Sequence, residues 1–469
     1  MNERLTILCG DALDKLREMA DQSVHCCVTS PPYWGLRDYK VTPTGWPEMI
    51  YKPMPGLPPI TIPPMVCCLG AEPTPEAFTG HLVIVFREVR RVLRDDGTFW
   101  LNLGDSYFGS WGNYSGQNRG HGSQREITNG SQVEARAYDG LEKMRPPTAG
   151  KHTDMKPKDL CMIPNRVALA LQADGWYLRC DIIWAKRNCM PESVTDRPTR
   201  SHEFLFLLTK SERYFYDAEA IKEPCIYDVD GTGTAARKAR VAGNKLLPTG
   251  ERNGIRPAGY KNSVNFDGKN KGNEKQRGHS RRHAGFNDRW DAMEKEEQCT
   301  GMRNKRDVWT VAPANYPDAH FATYPPKLIE PCILAGTSAK GCCPACGAPW
   351  ERVVERQPNP SKGTNTGPDL TGGAPNMGGN RQTSAGLHRN GGNVEGPPAK
   401  TIGWQPTCNC PSTINRSRPS TVLDPFGGSG TTAEVALSHG RRAIVIELNP
   451  QYIPLIKART NVTPGMALA

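Results

Sequence analysis

Apolar residues recur with two periods along this chain, and the periods alternate. Residues 5–11 (LTILCGD) are a short apolar run that ends in Gly10-Asp11. Over 12–19 (ALDKLREM), Ala12, Leu13, Leu16 and Met19 take helical spacing. Residues 23–30 (SVHCCVTS) form a second run, continuous as in a buried strand. Residues 81–94 (HLVIVFREVRRVLR) return to helical spacing, with Asp-Asp-Gly at 95–97 expected to close the helix in a turn. Residues 98–105 (TFWLNLGD) read as a third strand. Strand, helix, strand, helix, strand predicts a parallel sheet covered by helices.

The pattern lapses in a Pro-rich stretch up to about Pro75 and in a Gly/Ser/Asn/Gln-rich stretch at 108–158, expected to be a mobile loop. A helix is expected within 159–176, then strands at 177–185 and 202–210. A second Gly/Asn-rich stretch covers 361–400. The C-terminus returns to alternation: strand 421–424, glycine-rich 425–430, helix 431–440, strand 442–448 and helix 451–459. No internal repeat is evident.

Composition changes this picture in two ways. The 469 residues include 47 glycines and 41 prolines, consistent with long loops and more than one domain or large insertions. The formal charge is +11, and residues 231–306 hold 18 basic and 8 acidic side chains, so this segment carries +10 of it. Such a concentration points to a phosphate-rich partner, although a solvated loop would show the same charge. Sixteen cysteines, no signal-peptide pattern and no membrane-length apolar run suggest a reducing, cytoplasmic setting without a membrane.

Two short stretches carry candidate chemistry. LDPFGGSGTT (423–432) is a glycine-rich turn between a strand and a helix, and Glu447 ends the next strand. Glycines permit close ligand approach, and an acid at that offset commonly holds ribose hydroxyls. No Gly-Lys-Ser/Thr follows, so this is not a phosphate-binding P-loop. A ligand with ribose and no phosphate fits better, such as S-adenosylmethionine. The bland alternative is an ordinary tight turn. The second stretch is TSPPYW (29–34), where two prolines and two aromatics follow a strand. Alone it could be a structural proline turn.

Together, DPFGGSGTT and TSPPYW resemble the amino-directed DNA methyltransferases, which modify the exocyclic N4 of cytosine or N6 of adenine. The cofactor motif lies C-terminal to the catalytic motif, similar to the β class of that family, and the resemblance covers roughly 1–107, 155–222, 300–336 and 418–460. It implies a circularly permuted Rossmann-like S-adenosylmethionine-dependent methyltransferase fold. The strands ending at Asp424, Glu447, Asp11 and Ser30 would be its first four, with the first and fourth adjacent. By resemblance, Asp424, Pro425, Phe426, Gly428 and Gly430 surround the cofactor, Glu447 binds its ribose and Asp11 reaches its adenine amino group. HFATYPPKLIE (320–330) is similar to a further cofactor-side motif and adds His320 and Tyr324.

The catalytic residues would be Ser30, Pro31, Pro32 and Tyr33. An exocyclic amine is a poor nucleophile and is inaccessible inside a duplex, so the base must flip out. Tyr33 would stack on it, while Ser30 Oγ and the Pro31 carbonyl accept its N–H bonds from a loop that the prolines keep rigid. Family members with Ser at the first motif position mostly act on cytosine N4, those with Asp or Asn mostly on adenine. The resemblance thus implies a sequence-specific cytosine-N4 methyltransferase on double-stranded DNA, with adenine-N6 as the alternative. A methyltransferase on RNA or protein, or a non-catalytic DNA-binding zinc protein, stands further off. Cytosine-C5 chemistry needs a cysteine nucleophile, and neither Pro-Cys pair, at 224–225 and 331–332, has the expected setting. A restriction endonuclease partner is compatible with this reading, and so is either a monomer or a homodimer.

Cys343-x-x-Cys346 and Cys408-x-Cys410 match the spacing of a structural tetrahedral zinc site, with Cys342 an alternative to Cys343. The inserted module would either clamp DNA or brace the cofactor side. Within 191–204 (PESVTDRPTRSHEF), Arg197, Arg200, His202 and Glu203 are candidates near the target base, or members of a salt-bridged turn. Asp105 reads as structural. The expected organisation is catalytic at 1–107, mobile at 108–158, catalytic again at 159–222, basic and target-recognising at 223–306, cofactor-side at 307–337, zinc-ribbon-like at 338–417 and cofactor-binding at 418–469.

Overall fold

The computed structural model describes residues 4–35, 41–108, 154–189, 192, 194–224, 302–313, 324–355, 400–411 and 416–461. His320, most of the expected mobile loop, most of the basic segment and nearly all of the second Gly/Asn-rich stretch lie outside the described residues. The chain divides into two units: one of 1–221, 306–352 and 404–469, the other of 222–305 and 353–403.

The first unit is built on an eight-stranded sheet. Its strands in chain order are β1 (Leu5–Cys9), β2 (Val24–Thr29), β3 (Leu93–Leu103), β4 (Tyr177–Ala185), β5 (His202–Thr209), β6 (Val308–Thr310), β7 (Thr421–Asp424) and β8 (Arg442–Glu447). Their spatial order is β1-β8-β7-β2-β3-β5-β4-β6. The permuted order expected from the motifs is therefore present: β7, from the far end of the chain, pairs with β2 at Val422↔Cys26 and Leu423↔Cys27. The expectation of a parallel sheet needs one amendment, because β5 runs antiparallel to both β3 and β4. The fold is the circularly permuted Rossmann-like methyltransferase fold.

Strand β2 is buried at every position, and neighbouring side chains serve opposite cores. Cys27, Phe99 and Leu101 face one core with helices α1 (Ala12–Arg17), α2 (Pro75–Val92) and α3 (Ile163–Ala173). Cys26, Val28 and Trp100 face the other with α4 (Pro326–Gly336), α5 (Thr431–Ser438) and α6 (Ile453–Arg459). This two-sided burial is why the inner strands read as continuous apolar runs instead of alternating. Phe78, Leu82 and Phe86 of α2 are fully buried, and each such side chain contributes about 1.5–3 kcal/mol of transfer free energy.

Several element boundaries differ from the sequence expectations. Helix α2 begins at Pro75, six positions before the apolar pattern, because the Thr74 hydroxyl caps it by accepting from Ala77 N at 3.1 Å. The Asp-Asp-Gly at 95–97 is no turn. Leu93 pairs with Val24 and Thr98 with Cys26, so 94–97 bulge within β3. The Pro-rich stretch contains two antiparallel pairings, Thr44–Trp46 with Met65–Cys67 and Met49–Tyr51 with Ile60–Ile62. Strands of three residues are too short to show a period. Helix α4 and edge strand β6 were also not anticipated. Among the described residues no helix is long and apolar enough to cross a membrane.

In the second unit the described residues form a short antiparallel pair, Glu223–Pro224 with Met302–Arg303, and Arg303 Nε donates to Glu223 Oε1 at 2.9 Å.

Candidate active site

The parallel strands β1, β8, β7 and β2 end on one side of the sheet, and a cavity of about 400 Å³ opens there. Segments from both ends of the chain line it: Gly10-Asp11, Ser30 to Tyr33, Pro425 to Ser429, and Glu447 to Asn449.

Asp424 closes β7 and is 1 % exposed. Its Oδ1 accepts from the Thr29 hydroxyl at 2.6 Å and the Phe426 amide at 3.1 Å. Its Oδ2 accepts from the Tyr324 hydroxyl at 2.9 Å and the Thr432 hydroxyl at 2.5 Å. Desolvation raises this carboxyl above the ordinary value, and the donors partly offset that. Direct cofactor contact was the expectation for Asp424 and Gly430, yet both stand behind the cavity wall instead of in it. Asp424 pins the end of β2, the cofactor turn and Tyr324 to one another, and Gly430 caps α5 with φ +84°. Both oxygens are taken, so what reaches the cavity is Pro425, Phe426, Gly428 and Tyr324.

The turn is tight for a steric reason. A Cβ on Gly427 would stand 2.0 Å from Val445 Cγ1, so only glycine lets the loop cross β8. Glu447, at the end of β8, accepts from Gly428 N at 2.7 Å and Asn449 N at 2.8 Å. It is 8 % exposed and lines the cavity. Burial pushes its carboxyl up to about 7, against the pull of the two amides. Asp11 lines the cavity too and caps α1, its Oδ1 accepting from Leu13 N at 2.9 Å.

Ser30, Pro31, Pro32 and Tyr33 line the same cavity next to this half. The loop is clasped from behind: Trp34 Nε1 donates to the Glu72 carbonyl at 2.9 Å and Gly35 N to the Gly70 carbonyl at 2.8 Å. Glu72 in turn holds His81 at 2.9 Å. The Tyr33 ring lies over Gly104, where a Cβ would come within 2.5 Å of it. Its hydroxyl is 2.7 Å from Glu203 Oε2 and 3.0 Å from Asn102 Oδ1, and the Ser30 hydroxyl is 3.3 Å from it. Lys186 Nζ donates to Glu203 Oε1 and stands over the Trp184 ring.

Glu203 reaches this place because β5 is antiparallel. The start of β5 lies where its neighbours end, with Glu203 opposite Trp184. Of the four candidates in 191–204, only Glu203 faces the cavity. Arg197 pairs with Glu192 at 2.6 Å and covers the Tyr107 ring, and Arg200 stands 3.5 Å from Asp105. The salt-bridged alternative describes these two. Asp105 is structural as expected: its Oδ1 accepts from Ser106 N and Ile163 N. Asn102, Trp184 and Lys186 were missed; for Asn102 and Lys186 the available signal was a polar residue inside or just beyond a strand.

The sulfur atoms of Cys343, Cys346, Cys408 and Cys410 lie within 4.8 Å of one another. Cys342 is excluded from the group, its sulfur directed at the Arg418 carbonyl 3.4 Å away. The turn between the first two cysteines is tied to the starts of the central strands. Arg94 donates to the Cys346 carbonyl at 2.7 Å, and His25 Nε2 contacts the Gly347 carbonyl at 2.9 Å. His25 Nδ1 accepts from Thr421 N at 3.0 Å, which fixes the neutral tautomer with its proton on Nε2. Burial, with Arg94 nearby, pushes this imidazole down to about 4. These strands start at the edge opposite the cavity, so the cysteine group braces the sheet from its far end.

A doubly wound sheet with a cavity at its switch point and an acid at a strand end is the architecture of a ligand-binding α/β protein. The model of the N6/N4 DNA methylase family matches residues 24–343 and 414–458. The chain is 39 % identical to the type II methyltransferase M.XycI of Xanthomonas campestris pv. cyanopsidis over 332 residues, covering 71 % of this chain and 72 % of that protein. It is 34 % identical to M.SmaI of Serratia marcescens, covering 71 % and 76 %. Among solved structures, PvuII DNA methyltransferase (cytosine-N4-specific) aligns with a TM-score of 0.43 at 12 % identity, covering 99 % of this chain and 89 % of that one. The M1.HpyAVI–SAM complex aligns at 0.36 and 10 %, covering 98 % and 100 %. This chain belongs to the N4/N6 family of DNA methyltransferases.

The cavity suits the family's cofactor by its own chemistry. It offers the Glu447 carboxylate to a diol, the Phe426 ring to an apolar face and open space at Gly428, where a Cβ would meet nothing within 4 Å.

Proposed function

We propose that this chain transfers a methyl group from S-adenosylmethionine to the exocyclic N4 of cytosine at a specific sequence in double-stranded DNA. The observation that carries the choice of base is Ser30. A neutral hydroxyl, not an acid, heads the acceptor loop and lines the cavity beside the cofactor turn.

S-adenosylmethionine supplies an electrophilic methyl group on a sulfonium. Glu447 would hold its ribose hydroxyls, Asp11 its adenine amino group, and Pro425, Phe426, Gly428 and Tyr324 the remaining wall. His320 belongs to the same proposed set by its motif. Asp424 and Gly430 act by shaping that wall. Ser30 Oγ and the Pro31 carbonyl accept from the target amine, which lets its nitrogen pyramidalise. Pro31 and Pro32 keep those acceptors in place without reorganisation. Tyr33 offers its ring to the flipped base while Glu203 fixes its hydroxyl.

Cys343, Cys346, Cys408 and Cys410 hold one structural zinc. Four cysteine ligands would fill a tetrahedral zinc shell and leave no open position for catalysis. The basic segment 223–306 reads the duplex, its cations neutralising phosphates. The type II relatives suit a partner endonuclease that cuts the same sequence.

Expression in a host without DNA methylation, followed by single-molecule sequencing, tests this reading. One modified sequence motif carrying N4-methylcytosine is expected. A modified adenine would replace the base assignment with the N6 alternative. Modification without a shared motif would remove sequence specificity.

A further inference from the structure

The proposed reaction leaves a proton to be disposed of, and the first motif residue, Ser30, is not a base strong enough to keep it. An acid at that position would place a carboxylate beside the amine. Here a carboxylate reaches the loop from another strand. Ser30 Oγ donates to the Tyr33 hydroxyl at 3.3 Å, and Tyr33 donates to Glu203 Oε2 at 2.7 Å. Ser30, Tyr33 and Glu203 all line the one cavity.

We propose that Glu203 is the terminal acceptor for the proton released from the target amine, reached through Ser30 and Tyr33. The inference rests on the reading that the base occupies this cavity. The hydrogen bonds already run in the required direction. When the N4 lone pair takes the methyl group and the S–C bonding pair returns to sulfur, the nitrogen carries one proton too many. That proton passes to Ser30 Oγ as the Ser30 proton passes to the Tyr33 oxygen and the Tyr33 proton to Glu203 Oε2. Both hydroxyls end as they began, and the carboxylate becomes a carboxylic acid.

The surroundings suit an end point that must be ionised beforehand. Lys186 donates to the other Glu203 oxygen, which leaves Oε2 facing Tyr33. Asn102 Nδ2 lies 3.3 Å from Oε2 and also donates to the Phe204 carbonyl, which locks the amide. Among the described residues, His202 on the same strand is a further titratable neighbour. The antiparallel sense of β5 is what delivers a carboxylate to the parallel strands' ends.

Glu203→Gln keeps an acceptor for Tyr33 and cannot hold the proton. Tyr33→Phe keeps the ring and breaks the chain. Each should lower the single-turnover methylation rate about 100-fold, with the Kd for S-adenosylmethionine and the thermal midpoint unchanged. The double variant should fall no further than the worse single one, and Glu203→Asp should recover part of the rate. With cofactor omitted, a fluorescent base analogue at the target of the mapped site should flip equally in wild type and Glu203→Gln. A wild-type rate in either single variant, multiplicative losses in the double variant, or loss of the flipping signal in Glu203→Gln would each overturn the relay. The identity of the methylated nucleoside made by the wild type tests the N4 reading separately.

Discussion

Glu447 shows how one residue ties binding to pH. Burial sets its carboxyl at about 7 in the fold, against an ordinary 4.5. The folded value is raised, so its contribution to stability is full below about 4.5 and is lost as pH rises through about 7, an amount on the order of 3 kcal/mol. Accepting ribose hydroxyls calls for the ionised form, so binding moves the other way. Calorimetry should show S-adenosylmethionine binding tighten between pH 6 and pH 8, and Glu447→Gln should bind about 10-fold more weakly with a flat pH profile. A wild-type Kd without slope across that range would remove Glu447 from the ribose. Tyr33→Ala removes the base platform and leaves the cofactor half alone. It should abolish transfer while the Kd for cofactor stays within about twofold.

At the scale of elements, β2, β7, α5 and the segment leading into α4 meet at Asp424. Asp424→Ala would strand the Thr29, Tyr324 and Thr432 hydroxyls in a buried site. The expected cost is about 2–4 kcal/mol in denaturant unfolding, accompanied by loss of cofactor binding. An unchanged midpoint with weakened binding would return Asp424 to the direct contact expected from the motif. The cysteine knuckle braces the opposite edge. Metal analysis should find one zinc per chain, and removal by a chelator should lower the melting temperature. A metal-free, equally stable protein would leave the four cysteines as unligated thiols. Much of this was legible in the sequence. The spans of β4 and β7 were read to the residue, β7 because a short apolar run before a glycine-rich turn marks a buried strand. The hairpins of 44–67 were not, because strands of three residues show no period. Glu203 stood among candidates for the target base, but its link to Tyr33 depends on an antiparallel pairing that no local pattern reveals.

Across the whole chain, the proposed cofactor half lies near the C-terminus, the proposed acceptor loop near the N-terminus and a basic segment between them in sequence. The motifs made the first two legible, and charge counting pointed to the third. Neutralising four of the lysines and arginines in 231–306 with glutamine should weaken DNA binding and lower the slope of log K against log salt by about 3–4. The Kd for S-adenosylmethionine should not change. An unchanged slope would place the phosphate contacts elsewhere. The most direct test of the central claim uses purified protein, isotopically labelled S-adenosylmethionine and unmethylated duplex DNA, digested to nucleosides and weighed by mass spectrometry. Labelled N4-methyldeoxycytidine is expected. Labelled N6-methyldeoxyadenosine would contradict the assignment of the base, and no labelled nucleoside would contradict the DNA substrate.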